Sequence, residues 1–339
     1  MPSQKSSQPT IDDVARKAGV SISTVSRVIN RAVPVSPDIV LRVEEAMTEL
    51  RYVPRAAARN LARRNTNTLG LLLPDVLGDF FGPLLAGIQR VTNEHGYDLL
   101  ISTAGRHDPH DELPHSLGNH NTDGLLIFAG SLSGLGIAQA HAQGVQMTLI
   151  HQTPPPEITV PCVTIENKSA SRTLVEHLIL VHQRRRIVLL QGLPNNEDAR
   201  WRELGYLEAL AQHHIPFDPA LVVPGDFDRQ VAYASVVRLL EEGVSFEAVF
   251  SGDDEAAVGV YQALRAAGKR IPQDVAVVGF DDQRLAEVMT PALTTVHAPT
   301  ADVGAEATRQ LLGLIKTGKA EPLTLFPTEV IIRQSCGCE

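Results

Sequence analysis

The sequence predicts two unlike parts, an all-α helix-turn-helix headpiece and a larger α/β core whose parallel sheets form two lobes. Three observations carry this. At 339 residues, the chain exceeds what one hydrophobic core organises, so several domains are expected. The net charge of −9 hides an asymmetry, because residues 1–68 hold 11 Lys and Arg against 6 Asp and Glu, whereas residues 69–339 hold 19 against 33. Beyond residue 68, apolar strand-like runs alternate with helical patterns, the order that yields a parallel sheet flanked by helices.

Composition narrows the class further. Hydrophobic residues at 43% and charged residues at 20% exclude wholesale disorder and collagen-like or coiled-coil repeats. No run of eighteen apolar residues occurs, and the first residues, MPSQKSSQPTIDD, lack the apolar stretch of a secretory signal, so a cytoplasmic protein with no membrane partner is expected. Cys162, Cys336 and Cys338 are too few and too unevenly placed for a disulfide framework, and reduced thiols are expected.

The basic N-terminal fifth calls for an anionic partner. Thr10 and Asp13 form an acidic capping box, after which Ile11, Val14, Ala15 and Ala18 recur at helical spacing. Gly19 stands where a tight interhelical turn needs a left-handed backbone, and Ser21 can cap a second helix carrying Val25, Val28 and Ile29 on its apolar side. Ile22, Ser23, Thr24, Ser26, Arg27 and Asn30 are left for the other face. Such a helix suits the major groove of double-stranded DNA: Arg bonds guanine bidentately, hydroxyls reach phosphates or bases, and an aliphatic group touches a thymine methyl. Ser36-Pro37 opens a third helix, with Ser36 as its cap, that runs to about Arg51.

After Tyr52-Val53-Pro54 comes an alanine-rich basic stretch, Arg55 to Arg64, then the polar linker to Thr68. A helix of eight to ten residues is marginal alone, so this one is expected to fold only on DNA. The runs TIDDVARKAGVSISTVSRVIN and YVPRAAARNLARR resemble the headpiece and hinge of the lactose-repressor (LacI/GalR) family of bacterial transcription regulators. The resemblance implies that Ile22, Ser23 and Arg27 read bases and that Leu61 wedges into the minor groove, kinking the duplex. Thr10, Ser21, Thr24, Ser26 and Asn30, with Arg55, Ala57, Arg59 and Asn60 of the hinge, complete the expected DNA-facing set. The boundaries follow: 1–53 headpiece, 54–68 hinge helix and linker, 69–339 core, with lobes of about 69–165 and 166–296 and C-terminal segments crossing between them.

In the core, strand-like LGLLLP, YDLLIST, GLLIFAG and VQMTLI make one set, and RIVLLQG, ALVVPG, AVFSG and DVAVVGFDD a second. Ligands in such sheets sit beyond the carboxyl ends of the strands, so the residues after these runs should face one cleft. The resemblance extends through IPQDVAVVGFDDQRLAEVMTPALTTVHAP and PTEVIIRQSCG. It implies a periplasmic-binding-protein-like core that dimerises and takes a small sugar-like or sugar-acid effector between the lobes. Carried over by position, Asp281, Asp253 and Arg202 supply acceptors and a donor fork, and Phe80 and Phe81 an aromatic face. Two departures from the family's pattern stand out. His151, expected among the effector contacts as a group that bonds a hydroxyl or an anion, occupies a position where relatives often have aspartate, and Ala298 one where glutamine is common, so the pocket is expected to differ from lactose or purine sites.

Other motifs mislead. Gly130-Ser-Leu-Ser-Gly134-Leu-Gly136 mimics the glycine loop of nicotinamide enzymes but lies far from the chain start, and no tyrosine has a lysine four residues on. Gly313 to Lys319 resembles a P-loop, but Ala320 replaces the magnesium-binding hydroxyl and a helical pattern precedes it. His107, His110, His115 and His120 match no zinc template, and Cys336-Gly-Cys338 with Cys162 is too sparse to imply a metal. With no G-x-S-x-G elbow, no enzyme and no cofactor are expected. A transport-type sugar-binding protein would share the core but leaves the basic headpiece unexplained. The expected function is an allosteric repressor, a homodimer on a near-palindromic operator.

Overall fold

The capping box formed by Thr10 and Asp13 sets where the first helix begins. In the computed structural model, which describes residues 9–30, 34–52, 65–105, 111–118 and 120–339, Thr10 N–H donates to Asp13 Oδ2 at 2.9 Å and Asp13 N–H returns to Thr10 Oγ1 at 3.4 Å. Helix α1 (Ile11–Ala18) ends at Gly19, whose φ of 64° is the left-handed cap. Ser21 Oγ then accepts the N–H of Thr24 at 3.2 Å, opening α2 (Ile22–Asn30). Helix α3 (Pro37–Leu50) starts without the expected Ser36 side-chain bond. The fixed φ of Pro37 already favours the first turn, and it brings no N–H to be capped.

Val14, Ala18, Val25, Val43 and Ala46 form the core of this three-helix unit. Arg42 of α3 donates from Nε to the Ala18 carbonyl at 3.1 Å and from Nη2 to that of Gly19 at 3.2 Å. These are carbonyls that the end of α1 would otherwise leave unbonded.

A second unit begins at Asn67. In its first lobe, β1 (Thr68–Leu73), β2 (Asp98–Thr103), β3 (Gly124–Phe128), β4 (Met147–Ile150), β5 (Cys162–Ile165) and β11 (Leu323–Phe326) form a parallel sheet, ordered β11-β5-β4-β3-β1-β2. Helices α4 (Phe81–His95), α5 (Gly134–Ala142) and α11 (Thr300–Thr317) belong to this lobe. The second lobe has β6 (Ile187–Gln191), β7 (Val222–Pro224), β8 (Ala248–Ser251) and β9 (Ala276–Val278), parallel in the order β7-β6-β8-β9. Its helices are α6 (Lys168–Leu180), α7 (Glu197–Gln212), α8 (Arg229–Glu241), α9 (Asp254–Ala266) and α10 (Arg284–Val288). An antiparallel pair, β10 (Thr295–His297) and β12 (Glu329–Ile331), lies beside β9. The chain therefore passes between lobes after β5, after β10 and after β11.

Glycines set the helix spacing. A Cβ on Gly87 of α4 would lie 1.9 Å from the Ala301 carbonyl oxygen of α11; one on Gly205 of α7 would lie 2.3 Å from that of Lys168; and one on Gly259 of α9 would lie 2.1 Å from that of Arg229. Each pair packs backbone against backbone, which no larger residue permits. Buried leucine and valine runs in the strands reflect sheets covered on both faces.

The two misleading glycine motifs take ordinary places. Gly318 is the left-handed cap of α11, with φ 69°. The glycine loop after β3 leads into α5, where Ser133 Oγ accepts the N–H of Gly136 at 3.1 Å. His107 and His110 lie outside the described residues.

Candidate functional site

Each unit carries one candidate surface. On the first unit, Val25 of α2 is buried while Ile22, Ser23 and Arg27 are exposed, Ile22 at 48%. Ser21 Oγ lies 2.8 Å from both Ser23 Oγ and Thr24 Oγ1, so three hydroxyls cluster at the N-terminus of this helix, where the backbone presents unbonded N–H groups. Thr10 is exposed at the start of α1. Arg55, Ala57, Arg59, Asn60 and Leu61 lie outside the described residues, as does the side chain of Asn30.

On the second unit, a cleft of about 530 Å³ opens between the lobes. Phe80, Phe81, Arg202, Asp253 and Asp281 all line it. His151 does not. It sits behind the wall at 2% exposure, its ring 5.3 Å from that of Phe128 and 6.3 Å from that of Phe80. Phe80, Phe81 and Phe128 stack edge to face at 5.2 to 5.9 Å, a rigid apolar floor on the first lobe.

A polar chain runs through the wall. His151 Nδ1, at the end of β4, lies 2.8 Å from Asp198 Oδ2 on α7. Asn167 Nδ2 donates to Asp198 Oδ1 at 2.7 Å, and Arg202 Nε donates to Asn167 Oδ1 at 2.9 Å. Arg202 also donates to the Gly252 carbonyl at 2.5 Å and to Asp281 Oδ1 at 3.1 Å. Its guanidinium carbon stands 3.7 Å from the centre of the Phe280 ring. All five groups are buried, so each depends on the next for solvation.

The electrostatics follow from this wiring. Burial opposes ionisation of Asp198, but His151, Arg202 and Asn167 together hold its carboxyl below the usual range. Burial, with Asp281 nearby, pushes Asp253 up to about 7, although the Ala256 N–H that Asp253 caps favours its charged form. Asp281 is also raised by burial, with Arg202 opposing. Asp254 is raised well above the usual range, chiefly by burial; it accepts the Thr295 hydroxyl at 2.6 Å and the Gln283 N–H at 2.8 Å, bonds that tie β10 and the loop after β9 to α9. Asp281 and Asp282 carry φ of 102° and 55°, conformations that β-branched residues avoid.

Sequence reasoning missed Asp198 and Asn167, the two links that join His151 to Arg202. It also missed Phe128, Phe227, Asn195, Asn196 and Gln283, which line the cleft. The only available signal was the capping pattern Asn196-Glu197-Asp198, where Asn196 accepts the Ala199 N–H at 2.9 Å. Ala298 is buried beside Asp281, its N–H 3.5 Å from the Asp281 carbonyl oxygen.

A three-helix unit with an exposed hydroxyl-rich second helix, carried on a chain with a two-lobed α/β cleft, defines the class of ligand-sensing DNA-binding regulators. The pattern for bacterial regulatory proteins of the lacI family matches residues 10–55, and that of the periplasmic binding protein-like domain matches residues 175–336. The ribose operon repressor of Escherichia coli (strain K12) is 33% identical, covering 96% of this chain and 98% of the relative. A solved complex of the transcriptional regulator CelR with cellobiose is 30% identical with a TM-score of 0.71, covering 96% of this chain and 99% of that one. The lac repressor dimer bound to operator and an anti-inducer is 25% identical with a TM-score of 0.79, covering 97% and 99%. The chain belongs to the lacI family of bacterial regulatory proteins, DNA-binding regulators of transcription. Among the described residues, no helix is long and apolar enough to cross a membrane.

Proposed function

We propose that this regulator acts as a cytoplasmic homodimer, without enzymatic activity, and that a small sugar-like or sugar-acid metabolite in the cleft controls its grip on a near-palindromic operator. The observation that carries the reading is the buried chain from His151 to Asp281. It joins the first lobe to the second through groups that line or back the cleft, so a ligand that bonds Arg202, Asp253 or Asp281 alters how the lobes are held.

The chemistry suits a polyol. Carboxylates accept from hydroxyls, the guanidinium donates, and Phe80 and Phe81 cover apolar ring carbons. On the first unit, Ile22, Ser23 and Arg27 read the major groove, with Thr10, Ser21, Thr24, Ser26 and Asn30 around them. Arg55, Ala57, Arg59, Asn60 and Leu61 form the hinge, with Leu61 entering the minor groove. Effector binding then shifts operator affinity by a coupling of roughly 1 to 3 kcal/mol.

The test is selection of bound fragments from the source genome by the purified protein. A shared palindrome among retained fragments supports the reading, and neighbouring genes nominate the effector. No enrichment, with or without added cell metabolites, overturns it. Leu61→Ala should abolish most specific binding with the first unit still folded, and Asp281→Ala should bind DNA yet lose the effector response.

A further inference from the structure

The end of α6 and the end of the chain meet in a cluster that the cleft does not use. Helix α6 stops at Leu180, and Gln183 turns the backbone with φ 55°. His177 in the last turn and His182 just beyond it therefore face each other, ring centres 5.0 Å apart and Nε2 atoms 3.3 Å apart. Residues 334–336 arrive from the opposite side as a short 3-10 turn. Ser335 pins that turn to the second lobe, donating to the Val277 carbonyl at 2.6 Å and accepting the Thr294 N–H at 2.8 Å.

This brings Cys336 into the interior and Cys338 over both imidazoles. Cys338 Sγ lies 3.5 Å from His182 Nε2 and 3.6 Å from His177 Nε2. One side-chain atom from each of His177, His182, Cys336 and Cys338 lies within 4.8 Å of all the others. Gly337 makes the approach possible: its φ is 118°, and a Cβ there would fall 2.9 Å from the His182 ring.

Hydrogen bonding explains this arrangement poorly. Two imidazole nitrogens and a sulfur at mutual distances of 3.3 to 3.6 Å form a near-equilateral triangle around a common point. Hydrogen bonds prefer angles above about 150° directed at single partners. A metal ion makes the opposite demand. With Zn–N of about 2.0 to 2.1 Å and Zn–S of about 2.3 Å, a coordination tetrahedron has edges of roughly 3.3 Å between nitrogens and roughly 3.6 Å between nitrogen and sulfur. His177, His182 and Cys338 show those distances, and the Cys336 sulfur lies within 4.8 Å of each.

We propose that His177, His182, Cys336 and Cys338 bind one Zn²⁺, cross-linking the end of α6 to the final residues of the chain. Two thiolates balance the charge of the ion, and two neutral imidazoles complete a closed tetrahedral set. Three of the four ligands are only partly buried, so the ion has a path in. Asn167, just before the far end of α6, is about 15 Å from His177 along the helix axis, and none of the four ligands lines the cleft. The site is thus separate from effector binding and independent of the regulator reading.

The test uses the full-length, untagged protein, stripped by chelator under reductant and titrated with Co²⁺. Saturation near one equivalent is expected, with the ligand-field bands of tetrahedral cobalt and a thiolate-to-cobalt charge-transfer band, both bleached by Zn²⁺. Cys338→Ser should bind Zn²⁺ at least about 100-fold more weakly, and Zn²⁺ should raise the Tm of the wild type but not of this variant. Circular dichroism of the apo forms checks folding; if Cys338→Ser does not fold, His182→Gln is compared in its place with the same expectation. Weak octahedral cobalt spectra, or tetrahedral bands unchanged in these variants, overturn the proposal and assign any uptake to other histidines.

Discussion

His151 Nδ1 and Asp198 Oδ2 lie 2.8 Å apart, although one side chain ends a strand of the first lobe and the other stands on a helix of the second. Among the described residues, neither ring nitrogen of His151 has an aligned hydrogen bond, and the short ion-pair contact to Asp198 is the polar contact that the buried imidazole makes. The imidazole is therefore committed to Asp198, and its place is behind the cleft wall rather than in it.

Replacing His151 by Phe should leave the buried Asp198 carboxylate short of a partner. A loss of about 1 to 3 kcal/mol in urea unfolding is expected. The wild-type stabilisation has a defined pH sign. Because the folded carboxyl titrates below its unfolded value of about 4, the contribution is present above that pH and disappears as pH falls through the folded value. A variant as stable as wild type at neutral pH would show that this contact carries no energy.

Asp253 behaves in the opposite sense. Its folded value is pushed up to about 7, so ionising it costs the folded state and its contribution to stability declines as pH rises from about 4 to about 7. Asp253→Asn keeps an oxygen for the Ala256 N–H but cannot ionise. Its Tm should exceed that of wild type at about pH 8, with the difference vanishing near about pH 4. Equal melting at both values would mean that Asp253 titrates normally.

Gly205 and Gly82 should respond oppositely to alanine. A Cβ at Gly205 meets the Lys168 carbonyl oxygen, whereas one at Gly82, in the first turn of α4, meets nothing within 4 Å. Gly205→Ala should destabilise by about 1 to 3 kcal/mol, and Gly82→Ala should stabilise by roughly 0.4 to 1 kcal/mol through the unfolded chain. Chemical denaturation of the two variants side by side decides both.

Arg42→Ala removes the guanidinium that donates to the Ala18 and Gly19 carbonyls at the end of α1. The three-helix unit should lose about 1 to 3 kcal/mol, seen as earlier amide exchange within α1 and α3 and no change in the second unit. Arg27→Ala, on the exposed face of α2, should leave exchange rates unchanged while weakening operator binding.

Local chemistry made much of this chain legible. Thr10, Asp13, Gly19, Ser21 and Pro37 are residues whose backbone preferences act within a few positions, so the three helices could be placed from spacing alone; only the side-chain bond expected of Ser36 is missing. Strand runs such as LGLLL and AVF are continuous because both sheet faces are covered, and most of the expected strands and helices fall within a few residues of those found. Arg202, Asp253 and Asp281 were singled out through motifs resembling a family.

Tertiary structure alone decided the rest. The 151–198 and 167–202 contacts and the convergence of 177 and 182 with 336 and 338 join residues tens to more than a hundred positions apart. No periodicity encodes them, because the 151–198 contact exists only once the chain has crossed between lobes, and the 177/182 and 336/338 cluster only once it has crossed three times. Cys336-Gly-Cys338 looked too sparse for a metal for the same reason: its two imidazole partners come from the last turn of a helix that begins 168 residues before Cys336 and from the residues just beyond it. Sequence spacing fixes which face a side chain presents; the folded chain decides what that face meets.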